Sequence, residues 1–255
     1  MRCRSCHVVC QEPEPSPAAL AAGFDAAYFT AGEGDGYSDY LAMERSLRRQ
    51  ARRRLRELPR LLPGRHPRLL DVGCAAGFLL DEARKQGWHV TGVELNAAMA
   101  TVGRERLDLD IVTGSLDDMP VTEPFDAVFM LNVLEHLAAP RHVEGQLARL
   151  VRSGGILVIE TWDEASLVAR LQGGHWHQWS PLVPYYHVRR SLDALFAAER
   201  WERGWWRRAV KWIPVWRGLE ILGVQHGARR RHRAPWCWEI PYAAGDLVLA
   251  GYRRR

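Results

Sequence analysis

No run of about 18 consecutive apolar residues occurs in the chain, which excludes a membrane-spanning helix of ordinary length. The start, Met1-Arg2-Cys3-Arg4-Ser5-Cys6, lacks the apolar stretch of a secretory signal, so the expected compartment is the cytoplasm. Cysteine is scarce: five residues, three of them within the first ten, are not the spaced, even-numbered framework of a disulfide-stapled secreted domain. Reduced thiols are expected. Cys3-x-x-Cys6 followed by Cys10 invites a zinc reading, yet a structural zinc takes four ligands and only His7 stands near enough to join them, so no metal is expected. Internal repeats of 20–50 residues are absent.

What is present suits one α/β domain with modest additions. A chain of 255 residues, 47% hydrophobic, can bury a full core but is too short for two large domains. The net charge of +5 is unevenly placed: residues 1–199 carry −4 and residues 200–255 carry +9. The cationic run Arg229-Arg230-Arg231-His232-Arg233 stands in a Gly- and Pro-flanked stretch and reads as a solvated loop. A nucleic-acid partner is therefore not expected.

The stretch to about Ala22 reads as an extended lead-in outside the core, because Pro13, Pro15 and Pro17 each remove a backbone donor, and residues 1–39 as a whole are assigned to an N-terminal lead-in with a C-x-x-C remnant. From Tyr40 to about Leu62, apolar residues recur at helical spacing between arginines. The rhythm then becomes strand, turn, helix. Strands are expected at Arg68–Val72, Trp88–Glu94, Asp110–Thr113, Phe125–Leu131 and Gly155–Thr161. Helices are expected at Phe78–Gln86, Asn96–Arg106 and Pro140–Val151. That alternation predicts a mostly parallel Rossmann-like sheet with helices on both faces and ligands at the carboxyl ends of its strands. The core is assigned to 40–165, a Trp-rich substrate cap to 166–243, and a closing strand with a basic tail to 244–255. Ten of the eleven tryptophans fall after residue 160.

The chemistry concentrates at three strand ends. Asp71-Val-Gly73-Cys74-Ala75-Ala-Gly77 lies between a strand and a helix, where small residues let a ligand approach the backbone. A dinucleotide fingerprint wants glycines at relative positions one, three and six, but here they are Gly73, Ala75 and Phe78. A pyrophosphate would meet a bulky ring, which disfavours NAD or FAD. Glu94, followed by Leu95, ends the second strand, where a carboxylate can accept from both ribose hydroxyls. Ser115 and Leu116 follow the third strand as a polar and apolar pair able to bound an adenine. Asn132-Val-Leu-Glu-His136 follows the fourth.

These segments resemble the class I S-adenosylmethionine-dependent methyltransferases, in particular members with D-V-G-C-x-x-G, F-D-x-V and V-L-E-H motifs; residues 66–161 carry the match. The resemblance implies S-adenosylmethionine as cofactor, S-adenosylhomocysteine as product, and methyl transfer to an oxygen, nitrogen or carbon nucleophile of a small molecule, with natural-product, sugar or quinone-like acceptors all open. It implies Asp71, Gly73 and Gly77 at the methionine end, Glu94 on the ribose, Ser115 and Leu116 at the adenine, and Asn132 beside the sulfonium. Ala75 departs from the glycine many members have, and its methyl should narrow the pocket slightly. The N-terminal segment, with Tyr28-Phe29 and Tyr37-Ser-Asp-Tyr40, is similar to relatives carrying two C-x-x-C pairs; here the first pair is absent.

A base is needed only if the acceptor must lose a proton. His187, downstream of the Trp-containing loop, is the first candidate and His136 the second. Trp176, Trp179, Tyr185 and Tyr186 are candidates for the substrate wall, with His175 and His177 as further lining. Trp201–Leu222 mixes tryptophan with arginine and admits peripheral membrane contact and a lipid-like acceptor, although Pro214 interrupts it. The competing classes are a non-catalytic cofactor-binding module and a polymer methyltransferase. No Asn-Pro-Pro-Tyr-like segment follows the fourth strand to hold a flipped base. Oligomeric state is left open.

Overall fold

A computed structural model of the chain describes residues 1–30, 36–56, 58–62, 67–120, 123–197, 199–221, 224 and 235–255. Seven strands form one sheet: β1 (Arg68–Val72), β2 (His89–Glu94), β3 (Ile111–Thr113), β4 (Phe125–Leu131), β5 (Val151–Trp162), β6 (Trp201–Arg208) and β7 (Leu247–Arg254). Their spatial order is β3-β2-β1-β4-β5-β7-β6, with β7 antiparallel to both of its neighbours and the other pairings parallel. The expected strands are all present, displaced at their ends by a few residues.

Period-two alternation sorts the strand side chains onto two buried faces. Leu70, Val128, Met130, Leu157 and Ile159 pack on one side with Val143 and Leu147 of the helix Pro140–Leu150, and with Leu192 and Phe196 of the helix Arg189–Phe196. Leu69, Ala127, Phe129, Ile156 and Val158 pack on the other. There they meet Ala51 and Leu55 of the helix Glu44–Leu55 and Leu79, Leu80 and Ala83 of the helix Phe78–Arg84.

Several sequence expectations are corrected. The single helix expected over 40–62 is a 3-10 turn at Leu41–Met43, the helix Glu44–Leu55 and a short segment Leu58–Leu61 that contains Pro59, which has no N–H to continue the ladder. The lead-in is not outside the core. Ser16 caps the helix Pro17–Gly23 by accepting from the Ala19 N–H at 3.1 Å, and Pro17 occupies the first turn, where its missing donor costs nothing. Leu20 and Phe29 are buried. Gly36 lets the returning chain lie on the Tyr28 carbonyl, since a Cβ there would stand 2.4 Å from that oxygen.

The closing strand β7 is interior, because β6 covers its free side. Gly251 is required at that seam: a Cβ would stand 2.3 Å from the Trp205 ring. The stretch read as an interfacial segment is therefore no single amphipathic helix. It divides into β6, the short strand Lys211–Pro214, paired antiparallel with Glu239–Tyr242, and the helix Val215–Ile221. Trp201 and Trp216 in it are fully buried. Among the described residues no helix is long and apolar enough to cross a membrane. The basic run Arg229–Arg233 lies outside the described residues.

Candidate active site

The carboxyl ends of β1, β2 and β4 meet at a tight bend. Gly73 takes φ +69, and a Cβ on it would stand 2.5 Å from a Val133 methyl, so only glycine brings the bend this close. The Gly73 and Cys74 N–H groups both donate to the Val93 carbonyl, at 2.8 and 3.2 Å, which joins the bend to β2. Ala75 and Asn132 also take left-handed backbone, at φ +47 and +56. Ala75 therefore occupies a left-handed position, which the resemblance assigns to glycine, under strain of about 1–2 kcal/mol.

Glu94, 6% exposed, is aimed into this bend. One carboxylate oxygen accepts from the Ala75 N–H and the other from the Asn96 N–H, each at 2.7 Å. Burial raises the Glu94 pKa, and the backbone donors of Asn96, Ala75 and Leu95 pull it back. Each oxygen keeps a second lone-pair direction for another donor. Asp71 is also buried; burial and the nearby Glu94 charge push its pKa up to about 8, with Arg54 acting against them.

Two cavities open beside the bend. The outer one, about 470 Å³, is lined by Gly73, Ala75, Glu94, Leu95, Ser115, Leu116 and Asn132, and is roofed by the N-terminal segment through Leu20, Phe24 and Tyr28. Asn96 ties that roof down by donating from Nδ2 to the Phe24 carbonyl at 2.9 Å. The inner one, about 460 Å³, holds Asp71, Cys74, Arg54, Glu160, Trp162, His177 and Lys211 in its wall. Tyr28, Tyr37, Tyr40, Gly73, Leu131, Asn132 and His136 line both, so the chambers abut there.

The sequence candidates divide accordingly. Nine of the ten cofactor candidates line one chamber or both. Gly77 lines neither: it begins the helix Phe78–Arg84 at φ +76, and a Cβ would stand 2.4 Å from Leu109, so its part is to shape the turn. Ser115 has its hydroxyl engaged in capping, donating to Asp118 at 3.0 Å and accepting from the Asp117 N–H at 3.2 Å.

His187 is corrected. It is 1% exposed, lines neither chamber, and its Nδ1 lies 3.3 Å from the Ser191 hydroxyl. Burial lowers its pKa to about 4. The substrate-wall candidates are corrected too, since none lines a chamber. Trp176 is buried and donates from Nε1 to Asp246 at 3.0 Å, and Trp179 donates to the Gly173 carbonyl at 2.8 Å. Tyr185 and Tyr186 form a short strand against Val9–Cys10, with Tyr185 donating to Glu14 and the Tyr186 hydroxyl accepting from the Ser180 N–H.

His136 does reach the site. Its Nδ1 lies 2.7 Å from the Leu182 carbonyl, an acceptor only, so Nδ1 carries the proton and Nε2 keeps its lone pair. The Phe24 ring meets it edge-on at 4.9 Å.

The inner wall was missed from sequence. Arg54 clasps Glu160 through two nitrogens, both side chains nearly buried. Trp162, Lys211 and Tyr242 come from separate strands that no local motif links. His177, named only as further lining, does belong to this wall. The tyrosines were visible as the pair Tyr28-Phe29 and Tyr37-Ser-Asp-Tyr40, without an assigned task. At the N-terminus the Cys3 N–H donates to the Val8 carbonyl and the His7 N–H to the Cys3 carbonyl. Among the described residues no cluster of three or more His, Cys, Asp or Glu is arranged to hold a metal.

A mostly parallel sheet whose strand tips bring a glycine bend and an acid to one cleft, with a second chamber adjoining it, is a Rossmann-like domain. The chain belongs to the methyltransferase-domain family, whose model matches residues 43–202. A ubiquinone biosynthesis O-methyltransferase of Maricaulis maris is 32% identical over 143 residues, covering 49% of this chain and 56% of that protein. The protein of the same description from Nitrosococcus oceani is 34% identical over 101 residues, covering 37% and 43%. The match thus spans about half the length of these curated relatives.

Among solved structures, magnesium protoporphyrin IX methyltransferase from Synechocystis, with S-adenosylhomocysteine bound, superposes with a TM-score of 0.62 at 12% identity, over 94% of this chain and 100% of that one. Geranyl diphosphate C-methyltransferase from Streptomyces coelicolor gives 0.52 at 16%, over 80% and 77%. Both likenesses concern the fold.

Proposed function

We propose that the chain transfers a methyl group from S-adenosylmethionine to a hydroxyl of a small molecule. The observation that carries this reading is the pair of chambers meeting at Gly73, Asn132 and His136. The outer one suits a nucleoside: Glu94 offers two unused acceptor directions for ribose hydroxyls, and Leu95 and Leu116 offer apolar contact for a base. The Gly73 bend and Asp71 stand where the methionine end would pass inward. Residues Asp71, Gly73, Cys74, Ala75, Glu94, Leu95, Ser115, Leu116 and Asn132 would hold the cofactor, which supplies a methyl group on a sulfonium. The curated relatives, named as O-methyltransferases, support an oxygen acceptor.

The protein's contribution is placement. Alignment of a nucleophile with the methyl, in a site closed by Tyr28, Tyr37 and Tyr40, supplies much of the rate enhancement open to such an enzyme. A hydroxyl must also lose its proton. His136, with Nδ1 fixed as a donor to Leu182, presents Nε2 as the acceptor for it, and positioned bases of this kind contribute about 10²–10⁴-fold.

The test has two parts. S-adenosylhomocysteine at about 100 times its Kd should stabilise the fold by about 2.7 kcal/mol, read as a rise of a few degrees in Tm, while NAD should leave it unmoved. His136→Asn should lower kcat by about 10²-fold or more and leave S-adenosylhomocysteine affinity within about threefold. Failure of the first removes the cofactor; failure of the second removes the base.

A further inference from the structure

The inner chamber carries a charge that methyl transfer itself does not use. Its wall holds three cations, Arg54, Lys211 and Arg217. Arg54 is paired with Glu160 through Nε and Nη2, and Arg217 donates to Glu220 at 3.1 Å. Lys211 has no acid within 4 Å among the described residues; its ammonium stands 4.4 Å from the centre of the Trp162 ring. The strand Lys211–Pro214 fixes its direction. Alternation puts Lys211 and Ile213 on the chamber side, while Trp212 turns away and takes the Arg49 guanidinium 3.4 Å over its ring.

The choice of residue is also distinctive. Of the 35 basic residues in the chain, 33 are arginine and only Lys85 and Lys211 are lysine. Lys85 is an exposed partner of Asp81 and Glu82, at 2.7 and 3.3 Å. Lys211 is partly buried without such a partner, which is costly for a compact ammonium. Burial lowers its pKa, with Glu160 acting in the opposite direction. Around it the wall is apolar and aromatic, from Trp162, Ile213 and Tyr242, with His177 reaching the Tyr242 hydroxyl.

We infer that the acceptor is an apolar or aromatic molecule bearing one carboxylate, which pairs with Lys211 while its body lies against Trp162, Ile213 and Tyr242. This rests on the methyl-transfer reading above, because it assigns the second chamber to the acceptor. Glu160, Glu135 and Asp246 act on Lys211 from a distance, and the carboxylate supplies the direct ion-pair partner that it lacks within 4 Å among the described residues. Recognition then follows from attraction of an anion to a preplaced cation in a low-dielectric wall.

The test compares 4-hydroxybenzoate with 4-hydroxybenzamide, near-isosteric rings that differ in charge, by calorimetry on the full chain saturated with S-adenosylhomocysteine. The benzoate should bind at least about tenfold more tightly; Lys211→Met should erase that preference and Lys211→Arg keep most of it. Equal affinity for the two probes, binding of neither, or a preference that survives Lys211→Met overturns the inference. So does a loss of S-adenosylhomocysteine affinity in Lys211→Met beyond about threefold, which would put the amine on the cofactor. The wild-type comparison stands alone if the methionine variant does not fold. A wild-type chain that binds no S-adenosylhomocysteine instead overturns the methyl-transfer reading, and this inference with it.

Discussion

Glu94→Gln removes a charge from the centre of the outer chamber while keeping the side chain's shape. In the native chain the two carboxylate oxygens accept from the Ala75 and Asn96 N–H groups at 2.7 Å. A glutamine offers one oxygen and one NH₂, so one of those donors meets another donor. Leaving a buried N–H unpaired costs about 1–3 kcal/mol of stability, partly offset because a neutral side chain no longer carries the burial penalty that raises the Glu94 pKa. Toward a nucleoside the loss is larger. The carboxylate has two acceptor directions left for ribose hydroxyls, and the amide keeps at most one. One lost hydrogen bond to a charged group is about 1.5–3 kcal/mol, so the Kd for S-adenosylhomocysteine should rise roughly 10- to 150-fold. Isothermal titration of wild type and variant measures it, with thermal unfolding to show that the variant is folded. A folded Glu94→Gln chain whose Kd stays within about threefold of wild type would refute the assignment of Glu94 to the ribose.

Three further outcomes follow from the same structure. The Asp71 carboxyl keeps its proton to about pH 8 when folded but loses it near 3.8 when unfolded, so the native state binds more protons across that window and stability falls as pH rises through it. Asp71→Asn should abolish that decline, so its Tm relative to wild type should improve between pH 5 and pH 8. His187 has the reverse sign: its folded pKa of about 4 lies below the ordinary 6.5, so its contribution is present above 6.5 and disappears as pH falls toward 4. His187→Gln should flatten the stability profile between pH 4 and 6.5 and leave kcat unchanged, by pH-dependent unfolding and initial-rate assay. Ala75→Gly relieves about 1–2 kcal/mol of left-handed strain and forfeits about 0.8 kcal/mol of methyl burial, so denaturant unfolding should show a change between zero and about 1 kcal/mol toward stability.

The glycine bend and the acid beside it were legible in the sequence because runs of consecutive residues build them. A short apolar strand followed by Gly73 fixes a bend, and a strand that ends in Glu94 fixes an acid beside it; parallel pairing of β1 with β2 does the rest. The inner chamber has no such locality. Its wall brings together Arg54 from a helix, Trp162 from β5, Lys211 from a short strand and Tyr242 from that strand's partner, across nearly 190 residues of sequence. Composition misled as well. The tryptophans concentrated after residue 160 suggested a lid, but Trp176, Trp201 and Trp216 are buried packing, and only Trp162, at the end of β5, enters a chamber. His187 followed the Trp-containing loop as a base would, yet nothing in its neighbours announced that it would be buried beside Ser191 at the head of the helix Arg189–Phe196.

This difference in construction separates two properties of the site. Gly73, Glu94 and Asn132 are held by β1, β2 and β4 at the middle of the sheet, where the backbone of each strand is paired on both sides. Displacing any of them would disturb the core. The inner wall shares Asp71, Glu160 and Trp162 with that sheet but is completed by the N-terminal tyrosines and by the two-stranded pair 211–214 with 239–242, which stand outside it. Tyr37 and Tyr40 meet at 5.1 Å and Tyr40 lies on Phe78, so the roof is attached to the core through ring contacts that other apolar side chains can replace. Substitutions in the pair 211–214 with 239–242 can therefore reshape the inner chamber while leaving the bend at the tips of β1, β2 and β4 in place. The family model covers residues 43–202, which include Gly73, Glu94 and Asn132 and end before Lys211 and Tyr242.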